Sequence, residues 1–460
     1  MTANQEIEQN SQKPISTEAY VLVNALNYLE KIIRLRLAKQ FGKEYEYDQI
    51  KDIPLPNFNG QATAFTDFVS KAALSLDEFI LLLIALSPHI QPHFFDQFMN
   101  EYLPQDGDFP QLGGVRGKQH RGFLPTGETF LFLIAASNIE KRFTAQHLFH
   151  EGHFFSKQRI VYLEAPQSGE PLMSGKLTLA QDYVDLFIFG HIFPPKFSTS
   201  FPAQRIETEL EWEDLILNSH TQSQIQELKT WMIHGETLLY SWGMKKKIKL
   251  GYRALFHGPP GTGKTFAASL IGKYTQRDVF KVDLSMIVSK FIGETEKNLA
   301  NLFARAENKG WILFFDEADA IFGKRTNVRD AHDKYANQEV SYLLQRIENY
   351  DGLVILASNF KNNIDEAFTR RFQSIIHFPM PQAAERLKIW QASFPKEITL
   401  DKGVNFNSIA REYELSGAEV LNVVQSCCLG ALAKDSLLIK ARDIQEGIRK
   451  EFQKRGKIIR

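Results

Sequence analysis

The stretch GPPGTGKT, Gly258 to Thr265, sets three glycines, a lysine and a hydroxyl at the spacing Gly, four residues, Gly, Lys, Thr. Capture of a polyphosphate is the chemistry open to that pattern. Gly258, Gly261 and Gly263 let backbone N–H groups curl toward an anion, with Pro259, Pro260 and Thr262 completing the loop. Lys264 would bring a point charge to the β- and γ-phosphates, and the Thr265 hydroxyl would be a ligand for Mg2+. A second cluster ends the apolar run of ILFFDEAD, where Asp316 would hold the magnesium shell and Glu317 would orient and deprotonate an attacking water. The two clusters read as a hydrolytic site rather than one that only binds nucleotide.

Such a loop must sit between a strand and a helix, and the chain from Ile206 onward supplies that alternation. YRALFHG, VFKVDLS, WILFFDEA, GLVILASN and SIIHFPM are short apolar runs separated by helical periodicity, which implies a parallel sheet covered on both faces. Its carboxyl ends, where Asp316 and Glu317 fall, are where ligands of open α/β sheets gather. After Pro381 the pattern is helical only and reads as a small C-terminal subdomain. The N-terminal half begins with a helix over Thr17 to Phe41 and a second in SLDEFILLLIALSPHI, capped at Ser75 or Asp77 and stopping near Pro88. Leu103 to Thr129 is too rich in Gly, Pro and Asp for regular structure. Beyond it, helical runs in TFLFLIAAS and AQHLFHEG precede two strands flanking APQSG, a helix, helix, hairpin order that resembles a winged helix. Pro194, Pro195 and Pro202 mark a linker. The expected organisation is a tail over 1–16, a mainly helical domain over 17–205, a large α/β subdomain over 206–380 and a helical lid over 381–460.

Composition sets the bounds. The 460 residues, 43% hydrophobic, exceed what one core usually supports. The 54 basic and 54 acidic side chains balance, so no global field favours nucleic acid or an anionic membrane. The longest apolar run, Phe79 to Leu86, is far short of a bilayer span, and the polar N-terminus has no basic-then-apolar signal pattern, so a cytoplasmic protein is expected. Cys427 and Cys428 read as reduced core residues on a helix. His147, His150 and His153 have near-helical spacing but are split by Gly152, which favours a structural role over metal ligation. The basic C-terminus, IRKEFQKRGKIIR, reads as a solvated helix face.

Together the two motifs resemble those of the AAA+ ATPases, and of their classical AAA branch, over roughly Leu215 to Arg455. The resemblance implies the AAA+ fold, ATP and Mg2+ as ligands, and a ring, usually a hexamer. Asn359, at the end of LASN, would be a polar sensor facing the attacking water or the γ-phosphate. Arg370 and Arg371 in DEAFTRRFQ would supply an arginine finger to the neighbouring subunit, although many family members separate two such fingers by a spacer. In SGAE, Gly417 and Ala418 would approach the adenine, while an N-cap at Ser416 explains the same residues equally well. Lys290, Phe291, Ile292 and Gly293 match the loop that grips a polypeptide in the pore, the alternative being a core-packed Phe291; Gly323 to Tyr335 takes the place of a second pore loop or of a solvated segment. SKFIGETEKNL, the run from Asp316 to Gly352 and WEDLIL look like a bacterial subgroup encoded with phage-tail-like contractile injection particles. That implies a protein remodelling or threading ATPase acting on cargo or particle components. A nucleic-acid motor using the winged helix and a nucleotide-gated scaffold are the other readings.

Overall fold

The computed structural model describes residues 16–102, 109–198, 201–287, 294–319, 331–359 and 370–456. It divides into two compact units, Met1–Pro194 and Pro195–Arg460.

In the first unit, helix α1 (Thr17–Gln40) opens at Ser16, whose side chain accepts from the Ala19 N–H. Helix α2 (Leu76–Ile90) opens on a capping box between Ser75 and Glu78. Its residues Phe79 to Ser87 are all buried, which makes it a core helix rather than an amphipathic one. Contrary to expectation, Pro88 does not stop α2. The carbonyl of Ile84, which the missing Pro88 N–H cannot serve, is taken by the Ser87 hydroxyl at 3.0 Å. Helix α3 (Gly127–Ala135) is followed by α4 (Ile139–Gln146), and Arg36 of α1 donates to the last-turn carbonyls Leu133 and Ile134 of α3. After a four-residue helix, Phe154–Lys157, comes a hairpin of β1 (Val161–Leu163) and β2 (Leu177–Leu179) with strands of three residues each; the second helix lies earlier than the run AQHLFHEG read for it, which α4 meets only at Ala145 and Gln146. His153 lies 2.8 Å from Glu78, while the Gly152 N–H donates to Nδ1 of His150.

The second unit is built on a six-stranded sheet. Its strands are β3 (Ala203–Ile206), β4 (Tyr252–His257), β5 (Val279–Val282), β6 (Ile312–Phe315), β7 (Leu353–Ser358) and β8 (Ser374–His377). In space the order is β8-β4-β7-β6-β5-β3. All neighbours are parallel except β3, which pairs antiparallel with β5 from Ala203 opposite Val282 to Ile206 opposite Val279. The five strands expected from sequence are mutually parallel, and β3 is a sixth strand, antiparallel, that the sequence reading did not include. Pro202 stands just before the strand, where it costs the ladder no N–H, so the proline-rich run leads into the sheet, and the two compact units divide at Pro194/Pro195. Helices α5 (Ser219–Glu236), α6 (Lys264–Thr275), α7 (Glu294–Ala306) and α8 (Ala331–Asn349) cover the sheet. Ala254, Phe256 and Ile355 pack with Ala267 and Ile271 of α6 on one face, and Leu255, Phe280 and Leu313 with Leu302 and Leu343 on the other.

One buried cation holds this layer together. Arg253 on β4, 3% exposed, donates to the carbonyls of Leu250 (2.7 Å), Ile347 (3.0 Å), Tyr350 (2.9 Å) and Glu348, so it closes the C-terminal end of α8 against the sheet. Arg253→Ala leaves those carbonyls buried without donors and is expected to cost at least about 3 kcal/mol of unfolding free energy, read from the urea midpoint of the full chain. A midpoint unchanged by the substitution would contradict this.

The lid consists of α9 (Ala383–Ser393), α10 (Phe406–Glu412), α11 (Gly417–Leu432) and α12 (Ala441–Lys454) around Trp390. It is not purely helical: Thr399–Leu400 and Leu438–Ile439 form a short parallel pairing. Cys427 and Cys428 are free thiols on α11, and burial pushes the Cys427 pKa up to about 12. Among the described residues no helix is long and apolar enough to cross a membrane.

Candidate functional site

The glycine loop joins the carboxyl end of β4 to α6, the strand, loop and helix order that its chemistry needs. At Gly258 the backbone runs so close to β8 that a Cβ would fall 2.0 Å from the carbonyl oxygen of Phe378. At Gly261, with φ +74°, a Cβ would collide with Ser416 and Ala418 of the lid, and the Ala418 N–H donates to the Gly261 carbonyl at 3.2 Å. The lid segment SGAE therefore rests on the loop, while Ser416 also caps α11 in a capping box with Glu419. The N-cap reading of Ser416 is the one this geometry displays. No side chain caps α6 at Gly263, so the first-turn N–H groups of α6 are free of a competing side-chain acceptor there.

Lys264 is 7% exposed, and its ammonium donates to the carbonyls of Gly258 (2.6 Å) and Pro259 (3.0 Å) and to Oδ1 of Asn359 (3.2 Å). Burial lowers its pKa, against the opposing pull of Asp316 and Asp319. A cation held by neutral oxygens in a dry site is matched by an incoming anion. Asp316 follows β6; its Oδ1 accepts from the Glu317 N–H at 3.0 Å and its Oδ2 lies 2.7 Å from the ammonium of Lys281 on β5. Glu317 is exposed and has φ 50°, a left-handed conformation uncommon for a residue with a Cβ, held by an Ala318 N–H bond to Ala357 on β7 at 2.8 Å. Oδ1 of Asp319 is buried without a partner among the described residues.

These groups border a cavity of about 740 Å³. Pro260 to Thr265, Asp316, Glu317 and Asn359 line it with polar atoms, Gly417 and Ala418 close it from the lid, and Leu215, Ile216, Ile389 and Leu421 add apolar surface. A phosphate chain on the polar part and a flat base against the apolar part suit that lining. The Thr265 hydroxyl and the Asp316 carboxylate are hard oxygen donors of the kind Mg2+ takes. Gly258 and Pro259 lie behind the cavity and serve Lys264 through their carbonyls. Arg370 and Arg371 do not border it: Arg370 is exposed, and Arg371 forms an ion pair with Glu348 of α8 at 2.5 Å. Lys290, Phe291, Ile292 and Gly293, and the segment Gly323 to Asp330, lie outside the described residues. Sequence reasoning missed Lys281 and Asp319, and it noted WEDLIL only as a motif of resemblance without assigning Leu215 to Asn218 to the site.

A family model described as "ATPase family associated with various cellular activities (AAA)" matches residues 254–380. The chain is 34% identical over 213 residues to the proteasome-activating nucleotidase of Aeropyrum pernix, covering 44% of this chain and 52% of that protein. It is 30% identical over 207 residues to a 26S proteasome regulatory subunit 6B homolog of Dictyostelium discoideum, covering 44% and 51%. With the peroxisomal ATPase PEX6 of Kluyveromyces lactis it shares 27% identity over 263 residues, 55% of this chain and 26% of that one. The chain spans about half the length of the first two relatives.

Proposed function

We propose, from the match of residues 254–380 to the model of the AAA ATPase family, that the chain hydrolyses ATP with Mg2+ as one subunit of a ring, a hexamer, and uses the cycle to remodel or thread a protein. The observation that carries this is the convergence of Lys264, Thr265, Asp316, Glu317 and Asn359 on one cavity closed by lid residues Gly417 and Ala418. Lys264 would exchange its carbonyl partners for phosphate oxygens, and Thr265 and Asp316 would hold the metal ion. Bound Mg2+ supplies charge neutralisation at the phosphates. Glu317 takes a proton from water that Asn359 helps to orient, and the Gly417–Ala418 backbone lies against the base. Because the lid rests on the loop at Gly261, a change at the phosphates is passed to α11. Similarity to proteasome-activating and peroxisomal ATPases supports a protein as the thing acted on. The motif resemblance to ATPases encoded with contractile injection particles supports their cargo or components as that protein.

Lys290, Phe291, Ile292 and Gly293 are the proposed grip. Phe291→Ala is expected to leave ATP turnover within about twofold of the parent and to lower processing of a bound protein by at least about tenfold, since an aromatic face supplies most of a sequence-tolerant hold. Protein processing unaffected by the change, together with DNA binding that falls steeply with salt, would favour a nucleic-acid motor instead.

A further inference from the structure

Lys281 is out of pattern. In β5 the residues Val279, Phe280 and Val282 are buried, and both faces of the sheet are covered, so an apolar side chain is the ordinary occupant of its position. Alternation along the strand places Lys281 on the face of Val279, which packs with Ala267, Ala268 and Ile271 of α6, the helix that starts at the phosphate loop. A half-buried ammonium there needs a counter-charge, and it has one, Oδ2 of Asp316 at 2.7 Å across the β5–β6 pairing. The other oxygen of Asp316 takes the Glu317 N–H at 3.0 Å. Both oxygens of the carboxylate assigned to the metal are thus engaged by this chain.

We propose that Lys281 is a positioning residue that competes with Mg2+ for Asp316 and so sets the magnesium concentration at which the nucleotide is fixed. The inference rests on the nucleotide site proposed above. Two consequences of opposite sign follow. While Lys281 holds Asp316, the carboxylate repels incoming phosphates less, so nucleotide binds better without metal. When Mg2+ arrives it must share or displace the ammonium, so more metal is needed. The side chains of Lys281 and Asp316 are 42% and 27% exposed, and screening keeps the expected effect to about tenfold in each direction.

The test is equilibrium binding of a fluorescent ADP to the full chain, in EDTA and across a Mg2+ titration, for the parent, Lys281→Met, Lys281→Gln and Lys281→Arg. Both neutral variants are expected to bind ADP about tenfold more weakly in EDTA, yet to reach half-maximal tightening at about tenfold less Mg2+. Lys281→Arg keeps the charge and stays near the parent. A Mg2+ midpoint unmoved in whichever neutral variants fold, or affinities that fall in parallel with and without metal, would show Lys281 to be merely structural and overturn the inference. A parent chain that binds no ADP under either condition overturns the nucleotide site itself, and this inference with it.

Discussion

Glu317→Gln is expected to cut ATP turnover by about 10²- to 10⁴-fold and to leave nucleotide affinity within about threefold of the parent. An amide of the same shape cannot accept a proton from water, whereas the phosphate capture proposed for Lys264, Thr265 and the loop is not touched by the substitution. The geometry isolates that role. Glu317 is exposed at the cavity and held in a left-handed backbone conformation, while its neighbour Asp316 is occupied by Lys281 and by the Glu317 N–H. A strained conformation of this kind costs on the order of 1 kcal/mol and persists because the Ala318 bond to Ala357 fixes the turn. Phosphate release and binding of a fluorescent ATP analogue, measured on one preparation, check both halves. Turnover above a tenth of the parent's would place the base elsewhere. The stalled protein is also the reagent that would retain whatever the ring acts on, and its companions, injection-particle components, other proteins or DNA, would choose among the readings.

Arg370→Ala is expected to lower turnover of the assembled protein by about 10³-fold or more, the scale of an arginine finger. Two adjacent arginines were indistinguishable in TRRFQ, and their surroundings separate them. Arg371 is tied at 2.5 Å to Glu348 near the end of α8, the same turn whose carbonyls Arg253 holds from beneath, so it is braced within its own subunit. Both arginines are exposed and neither borders the cavity of its own chain, so the ion pair of Arg371 is what distinguishes them. We propose Arg370 as the residue that reaches a neighbour's site, and Arg371→Ala should cost about tenfold or less, as partly exposed ion pairs do. Complementation gives the decisive form of the test. Arg370→Ala subunits have an intact pocket and no finger; Lys264→Ala subunits have a finger and no usable pocket. Mixed, two inactive proteins should recover a measurable fraction of turnover. Failure to recover, with both proteins assembling normally, would remove the shared site.

The parts of this molecule that could be read from sequence are those whose signal is local. The five runs from YRALFHG to SIIHFPM are strands because each is a short apolar segment bounded by breakers. The loop GPPGTGKT announces itself by spacing alone. What stayed hidden depends on partners distant in the chain. Lys281 carries no local signal within VFKVDLS, and only the β5–β6 register sets it beside Asp316. Asn359 and Lys264 are 95 residues apart and meet only through the sheet. β3 was obscured by three prolines nearby and by two polar residues in its four, a pattern natural to an edge. Pro88 misled for a smaller reason, since a neighbouring hydroxyl repaired the bond it removed.

The antiparallel strand and its counterpart across the sheet have a further effect. At one rim the ladder ends in four residues flanked by the ion pairs of Arg205 with Glu207 and Asp278; at the other, Thr221 and Gln224 of α5 donate to the carbonyls of His377 and Ile375. An intruding strand finds no long, flat template at either rim. Edge-to-edge pairing of sheets between crowded copies is thereby disfavoured at both rims, which guards the fold against strand-mediated aggregation.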